Sequence, residues 1–531
     1  MSKGVDYLLV ALDPKHLPED PKILQQMVLD LMVQLDREFS ERNKIESLLR
    51  ELLDAKRNRK SEQLSTDQLA LFASLWQARQ AEAGPDANSG PDASSGPDDK
   101  DQDNAAGGSG VTGDTKKKTG GGRQPLAKHL KHERIMHDLA EEEKHCSACR
   151  QDLRPIGEES SERYEYIPAQ LTVIEDVCKK YACECTIKTA TKPAQPIEKS
   201  TAGASLLAQV IVAKVADHLP LYRQEKIFAR HGVDISRKTM GGWLAQCADL
   251  LNPLYATAKE VLFQSKVIGT DDTGVKVLDA KLPFARTGRI WPYYGDAAHP
   301  VILYDYTATR ERAGPEEFLK GYRGYLQADA YGGYDAFFKD PARGLIEVGC
   351  WSHCRRYYYK ALDSDQSHMG PALLLIGQLY RVEEQARPMT ADERLRLRQL
   401  QSRPILDKLH NYLLEIQTEV LPKSPEGRAV RYTLKNWIAL TRYCEDGDLE
   451  IDNNATERAI RGVAVGRNNW VFFGSDYGGK TAAVLRSFIA SCQRAGVEPF
   501  AWLKDVLSCI ADHPITRIAE LLPHNWAPIQ A

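Results

Sequence analysis

The spacing of apolar residues changes near residue 264, and this change constrains the fold more than any other feature of the chain. Residues 200–247 carry apolar side chains at helical intervals, whereas residues 264–350 contain short apolar runs bounded by polar and turn residues. We interpret these runs as strands, with a short helix at residues 315–319 before the last of them. The predicted strands lie at residues 267–272, 275–278, 289–294, 301–306 and 325–329. Strands followed by a helix and a further strand predict a mixed sheet covered by helices.

Two of the predicted strands end in carboxylates. Asp271 follows the first apolar run, and Asp329 follows the last. If these two strands are neighbours, both carboxylates lie at one edge of the sheet. A third carboxylate, Glu457, belongs to the polar stretch at residues 451–461, where Asn454 or Thr456 can cap a helix and place Glu457 in its first turn.

Three converging carboxylates favour a magnesium site. Carboxylate oxygens are the ligands that Mg²⁺ prefers, and two such ions can activate the attacking oxygen and stabilise the leaving oxygen of a phosphodiester. Each residue also has a simpler interpretation. Aspartates at strand ends are common turn residues, and Glu457 has the spacing for a surface salt bridge with Arg461 on one helix face.

A cluster of cysteines lies in the predicted zinc-binding region, residues 126–199. Cys146 and Cys149 form a C-x-x-C pair, Cys183 and Cys185 form a C-x-C pair, and Cys178 lies nearby. Two closely spaced thiolate pairs are typical of a tetrahedral zinc site, although a set of unligated buried cysteines is the alternative. The total of 11 cysteines is odd, and most occur singly in apolar surroundings, which indicates a reducing compartment.

The N-terminal region combines a helical segment with a linker. Residues 22–56 carry leucines at coiled-coil spacing, which predicts a self-association helix or an amphipathic helix packed on its own chain. Residues 80–125 repeat Gly-Pro-Asp and are too polar to form a core. The net charge is −3, so DNA binding would depend on local basic patches. No apolar run reaches the length of a membrane span, and we expect no signal peptide.

Residues 200–247 resemble a helix-turn-helix arrangement. Gly232 ends the second predicted helix, and Ser236 is placed to cap a third over residues 237–247. Arg237 and Lys238 then lie at the start of this third helix, where recognition helices contact base edges and phosphates. We predict DNA contact here, but many helical subdomains share the pattern without binding DNA.

Four motifs resemble those of transposases of the insertion-sequence-66 family, and the resemblance covers nearly the whole chain. They are Gly-Thr-Asp-Asp-Thr at residues 269–273, Gln-Ala-Asp-Ala-Tyr-Gly-Gly-Tyr at 327–334, Gly-Cys-Trp-Ser-His-Cys-Arg-Arg at 349–356, and residues 451–470 with their Gly-Arg-Asn-Asn-Trp end. Shorter matches lie at residues 218–223, 474–476 and 496–500. In two places the chain departs from the family pattern. Asp-Glu-Thr-Pro is here Asp271-Asp272-Thr273-Gly274, and the second C-x-x-C is Cys183-Glu184-Cys185, which leaves open whether Cys178 or Cys185 completes the zinc site.

The resemblance implies a multidomain α/β protein with a ribonuclease-H-like catalytic domain. Its Asp-Asp-Glu triad would be Asp271, Asp329 and Glu457, holding two Mg²⁺, with Mn²⁺ as an alternative. It also implies a zinc-binding domain before the catalytic domain and a helical N-terminal region. The expected segments are 1–79 (helical), 80–125 (linker), 126–199 (zinc ribbon), 200–262 (helix-turn-helix-like), 263–350 and 449–487 (catalytic core), 351–448 (helical insertion) and 488–531 (helical tail).

With this resemblance, several basic residues are expected to contact DNA. The residues expected to hold phosphate are Arg458, Arg461, Arg467 and Lys480. Those expected to order the active site or grip a strand are His353, Arg355 and Arg356.

We interpret the chain as a bacterial, cytoplasmic DNA transposase that binds the inverted ends of its insertion sequence, cleaves them and transfers the freed strand into target DNA. We expect it to form homo-oligomers and to work with accessory proteins of the same element. Two alternatives remain open at this point. One is a structure-selective nuclease of the same fold, and the other is a DNA-binding regulator without catalytic activity.

Overall fold

The computed structural model of the chain describes residues 64, 66–82, 171–178, 180–182, 187–189, 194–198, 200–329 and 332–527. The described residues fall into two compact units. The helical unit comprises those up to residue 82 together with Cys350–Asp452, and the mixed unit comprises the remainder. The predicted coiled coil at residues 22–56 and the part of the linker beyond residue 82 lie outside the described residues.

The strands are β1 (Lys180–Ala182), β2 (Ile187–Thr189), β3 (Val267–Thr270), β4 (Thr273–Val277), β5 (Arg286–Tyr294), β6 (Ile302–Thr307), β7 (Gly324–Gln327), β8 (Leu345–Val348) and β9 (Phe472–Phe473). The helices are α1 (Thr66–Glu82), α2 (Ala204–Val215), α3 (Leu221–Arg230), α4 (Arg237–Leu262), α5 (Ala313–Phe318), α6 (Asp335–Phe338), α7 (Trp351–Ala361), α8 (Gln366–Ala386), α9 (Ala391–Leu397), α10 (Arg403–Ile416), α11 (Pro425–Lys435), α12 (Trp437–Thr441), α13 (Asn454–Trp470), α14 (Asp476–Ala495) and α15 (Pro499–Cys509). Among these described helices, none is long and apolar enough to cross a membrane.

A mixed sheet forms the centre of the mixed unit, as the strand pattern predicted. β5 pairs antiparallel with β6 on one side and with both β3 and β4 on the other. Beyond β3 lie β7 and β8, which continue the sheet in parallel. The short β9 pairs in parallel with β4. The first part of the sheet is therefore an antiparallel meander, and the second part is parallel.

Helix α14 covers the edge of the sheet at β6, where no further strand is paired among the described residues. The backbone N–H of Tyr304 donates to the hydroxyl of Ser487 at 2.8 Å, and that of Ile302 donates to the hydroxyl of Ser491 at 3.0 Å. Both serines are buried. Because an open strand edge offers unpaired backbone groups, these serines take the place of a further strand.

The helix-turn-helix-like segment forms three helices, as predicted. Gly232 adopts a left-handed φ of 77° after α3, and the Ser236 hydroxyl accepts the Thr239 N–H at 3.1 Å to cap α4. The predicted end of the third helix near residue 247 is wrong, because α4 continues through Pro253 to Leu262. Its later turns bury Leu251 and Leu254 in the core of the mixed unit, and this burial favours continuation of the helix.

The helical unit consists of α1 and α7–α12. Its second segment, Cys350–Asp452, corresponds to the predicted helical insertion at residues 351–448, whereas α1 was predicted to belong to a separate N-terminal region. One side chain at the centre of the unit is a fully buried arginine, Arg398. Its Nε and Nη2 atoms donate to both carboxylate oxygens of Glu383, at 2.9 and 2.6 Å. Its Nη1 atom donates to three backbone carbonyls, those of Tyr443, Asp446 and Leu449, at 2.8–3.2 Å. This arginine therefore ties together segments that are distant in sequence.

Candidate active site

The strand register brings Asp271 and Asp329 to the same level of the sheet. β3 and β7 are parallel neighbours in which Gly269 lies opposite Gln327. Each aspartate lies two residues beyond that pair, so the two occupy matching positions past the ends of adjacent strands. Both residues are half-buried. The prediction that two apolar strands end in neighbouring carboxylates agrees with this arrangement.

Asp271 lies where one long strand is interrupted. β3 and β4 keep a single register against β5, since Thr270 pairs with Tyr293 and Thr273 pairs with Ile290. That register places Asp271 opposite Pro292, which has no N–H to donate. The ladder therefore opens between β3 and β4, at the residues that carry the first carboxylate.

Helix α13 brings the third carboxylate to this opening. The side-chain amide of Asn453, just before the helix, donates to the carbonyl of Thr270 at 2.8 Å. Thr456 is buried against Gly269, and a Cβ atom at that glycine would lie 2.2 Å from the Thr456 hydroxyl. Only a residue without a side chain permits this approach. Glu457, in the first turn of α13, is thereby fixed beside the end of β3.

Two details of this contact differ from the sequence analysis. The helix begins at Asn454, so the cap position belongs to Asn453, and the prediction that Asn454 or Thr456 caps the helix is wrong. Within the described part of the chain, Asn453 makes no side-chain cap hydrogen bond and uses its amide to hold β3 instead. The close approach of α13 to Gly269 was not predicted, although a glycine within a buried strand is a signal of close backbone approach.

The three carboxylates interact electrostatically. Burial raises the pKa of Asp271 to about 7, with further raising contributions from Asp329, Asp272 and Glu457, whereas the backbone N–H of Asp272 acts in the opposite direction. That N–H donates to Asp271 Oδ1 at 2.7 Å. Like charges held together in a partly buried site are an arrangement that a divalent cation relieves. The donor set of three carboxylates fits magnesium.

The neighbouring Asp272 has a different environment. Its side chain is 2% exposed and accepts hydrogen bonds from Arg289 Nη1 at 2.7 Å and from Arg310 Nε and Nη2 at 3.0 and 2.8 Å. Both of its oxygens are occupied by these arginines. Of the two adjacent aspartates, Asp271 therefore faces the carboxylate cluster, and Asp272 belongs to an ion-pair network.

The basic residues expected to hold phosphate lie on α13 and α14. Arg458 and Arg461 are exposed on the early turns of α13, close in sequence to Glu457. Arg467 Nη1 donates to the Thr273 hydroxyl and to the Gly274 carbonyl at 3.0 and 2.9 Å, so this arginine also fastens α13 to β4. Lys480 is exposed on α14. The pKa of Asp476 is lowered mainly by the hydrogen bond from Tyr306, then by Arg286, and to a smaller extent by the charge of Lys480.

The other predicted contact residues belong to other segments of the chain. Arg237 and Lys238 are exposed in the first turn of α4, and the backbone N–H of Arg237 donates to Glu225 at 3.1 Å. His353, Arg355 and Arg356 lie on α7 of the helical unit. The four predicted zinc ligands, Cys146, Cys149, Cys183 and Cys185, lie outside the described residues, while Cys178 is described as a half-buried free thiol.

Comparison with known proteins identifies three matching family models. The model described as Transposase IS66 family matches residues 199–481, the IS66 C-terminal element matches residues 487–524, and the zinc-finger binding domain of transposase IS66 matches residues 143–186.

Three similar proteins come from Sinorhizobium fredii. Uncharacterized protein y4hP is 32% identical over 76% of this chain and 77% of its own length. Uncharacterized protein y4jD is 32% identical over 76% of this chain and 81% of its own. Uncharacterized protein y4qI is 33% identical over 79% of this chain and 80% of its own length.

Proposed function

We propose that this chain, which belongs to the Transposase IS66 family, binds the inverted ends of its insertion sequence, hydrolyses a phosphodiester there and directs the freed 3′-hydroxyl at target DNA. The observation that carries the proposal is the convergence of Asp271, Asp329 and Glu457 at the opening between β3 and β4. A ribonuclease-H-like fold is our proposal for the mixed unit. An antiparallel meander followed by parallel strands, with acids at the strand ends, supports it.

In this proposal the three carboxylates would hold two Mg²⁺. Bound there, the ions supply activation of the attacking oxygen and stabilisation of the leaving oxygen. Asp271 and Asp329 are held by strand register, and Glu457 is held by the contacts of Asn453 and Thr456 with β3. The exposed guanidinium groups of Arg458 and Arg461 would grip the phosphates of the reacting strand.

DNA binding outside the carboxylate cluster is assigned to two further regions. The match to a transposase zinc-finger domain supports structural zinc, for which we propose Cys146, Cys149, Cys183 and Cys185 as ligands. Arg237 and Lys238, exposed at the start of α4, would contact the element end. Homo-oligomers and accessory proteins of the same element complete the proposed assembly.

Cleavage of labelled element-end DNA in the presence of Mg²⁺ tests the proposal. We expect Asp271→Asn, Asp329→Asn and Glu457→Gln each to abolish cleavage while end binding survives, because the metal site requires all three charges. Asp512→Asn, which removes an exposed carboxylate after α15, is the control and should cleave normally. Near-normal cleavage by any triad variant removes that residue from the site. Cleavage by the unaltered protein without strand transfer would favour the nuclease alternative.

A further inference from the structure

Two helices of the helical unit, α7 and α11, carry a high density of positive charge. Every residue of α7 and α11 is described, and the one acid along them is Glu426, which is buried and accepts a hydrogen bond from Ser364. The basic residues of the two helices are Arg355, Arg356, Lys360, Arg428, Arg431 and Lys435. Since the whole chain has a net charge of −3, this density is a local property of the two helices.

The two helices pack side by side through a buried threonine. Thr433 of α11 lies 3.1 Å from the sulfur of Cys354 and 2.8 Å from the hydroxyl of Tyr358, both on α7. This packing sets Tyr357 of α7 against Tyr432 of α11, with ring centroids 4.6 Å apart and planes inclined by 26°. Tyr357 remains 42% exposed, so its ring is accessible from solvent.

Cations flank this tyrosine pair. Arg428, Tyr432 and Lys435 follow the spacing of one helix face on α11, and both basic residues are exposed. They are separated by about 10 Å along the helix axis. On α7, Lys360 is exposed one turn after Tyr357. The surface therefore presents an aromatic ring with positive charge on either side.

We propose that this surface binds single-stranded DNA, with a base stacked on Tyr357 and phosphates held by Lys360, Arg428 and Lys435. Proteins that bind single strands combine a positively charged track with aromatic rings on which unpaired bases stack. Bases within a duplex are already stacked on their neighbours, so a duplex could use the charges but not the ring. The inference assigns a strand-holding role to the helical unit and does not depend on the carboxylate cluster.

Binding of the full-length protein to an oligothymidylate that contains one 2-aminopurine tests this, with no Mg²⁺ added so that no cleavage occurs. We expect Tyr357→Ala to weaken binding roughly ten-fold and to lose the fluorescence quenching that stacking produces, whereas Tyr357→Phe should retain both. Arg428→Gln should reduce the slope of log affinity against log salt by about 0.7. Arg396→Gln removes an exposed charge from α9 of the same unit and should change neither.

Several results would overturn the inference. One is failure of the unaltered protein to bind single strands, and another is a Tyr357→Ala protein that leaves the quenching unchanged. The inference would also fail if Arg428→Gln and Arg396→Gln reduced the salt dependence of binding equally. If Tyr357→Ala weakened duplex binding as much as single-strand binding, the ring would not be a stacking platform. The cleavage-defective Asp271→Asn protein should bind the oligonucleotide normally, so the two proposals can fail separately.

Discussion

The two units of the chain each bury charge, but they do so in opposite ways. In the helical unit, Arg398 is fully buried, and its donors reach both oxygens of Glu383 and three backbone carbonyls. In the mixed unit, Asp271 is held near two further carboxylates, and the pKa of its own carboxyl is raised to about 7, first by burial and then by those neighbours. Arg398 is surrounded by hydrogen-bond acceptors, whereas Asp271 accepts a backbone N–H from Asp272 and lies near other carboxylates.

The contrast separates a structural charge from a functional one. A buried charge with complete hydrogen bonding stabilises the arrangement around it, because its removal leaves buried polar groups without a hydrogen-bond partner. A cluster of like charges opposes folding and persists where the surrounding structure imposes it. Contacts of Gly269, Asn453 and Thr456 impose it here. Three predictions test this contrast.

The largest effect is expected in the helical unit. Arg398→Leu should lower the free energy of unfolding by about 3–5 kcal/mol, because Glu383 and the carbonyls lose a buried partner. Arg396→Leu, at an exposed position two residues earlier, should change it by less than about 0.5 kcal/mol. Urea denaturation of the two variants gives the comparison. A small effect of Arg398→Leu would mean that the buried pair contributes little beyond its neighbours' packing.

The opposite sign is expected for Asp271→Asn. The pKa of Asp271 is about 7 in the folded chain, whereas an aspartate in an unfolded chain has its ordinary pKa of about 3.8. At pH values between these two, the folded state therefore holds a proton that the unfolded state has released. The free energy of unfolding therefore falls as pH rises through this window. Asp271→Asn should be more stable than the unaltered protein by about 2–4 kcal/mol near pH 8 without added Mg²⁺, and similar to it near pH 4.

Magnesium sharpens this second prediction. Near pH 8, added Mg²⁺ should stabilise the unaltered protein by binding its folded state, but it should not stabilise Asp271→Asn to the same extent. Denaturation curves at the two pH values, with and without the ion, measure both effects. If Asp271→Asn were less stable than the unaltered protein near pH 8, the like-charge interpretation of the cluster would be wrong.

The smallest expected effect compares two glycines. Gly269→Ala places a methyl group 2.2 Å from the Thr456 hydroxyl, so α13 must shift. We expect a loss of about 1–3 kcal/mol in stability, together with reduced cleavage, because Glu457 moves with the helix. A methyl group at Gly377 in α8 would meet no neighbouring side chain of the described residues within 4 Å, and Gly377→Ala should stabilise by about 0.5–1 kcal/mol. Equal stability of the two variants would refute the close contact.

Much of the sheet and part of the site could be predicted from the sequence. Apolar runs that end in Asp271 and Asp329 predict strands with acids at their ends, and the parallel pairing of β3 with β7 then brings the acids together. Glu457 was predicted from its position at a helix start and was assigned to the triad through the family motif. Its approach to β3 could not be predicted, because it joins residues that are far apart in sequence. The cap of α4 at Ser236 was predicted because capping is a local interaction.

Other features depend on pairings that no local pattern contains. The burial of Asp272 between Arg289 and Arg310 requires the strand register and the loop after β6. The stacking of Tyr357 on Tyr432 requires two helices that are far apart in the sequence to pack together. The length of α4 followed from burial of its later turns, whereas Pro253 on its own suggests an earlier end.

The order of the segments along the chain also has a consequence for synthesis. The chain leaves the mixed unit after Gly349 and returns to it at Asn453, so two carboxylates of the proposed site are translated before the second segment of the helical unit, Cys350–Asp452, and the third after it. A nascent chain therefore carries its zinc-finger region and two acids well before it can complete the metal site. A product that terminates within Cys350–Asp452 would keep the zinc-finger region and lack Glu457, so under the proposed function we expect it to bind element ends without cutting them.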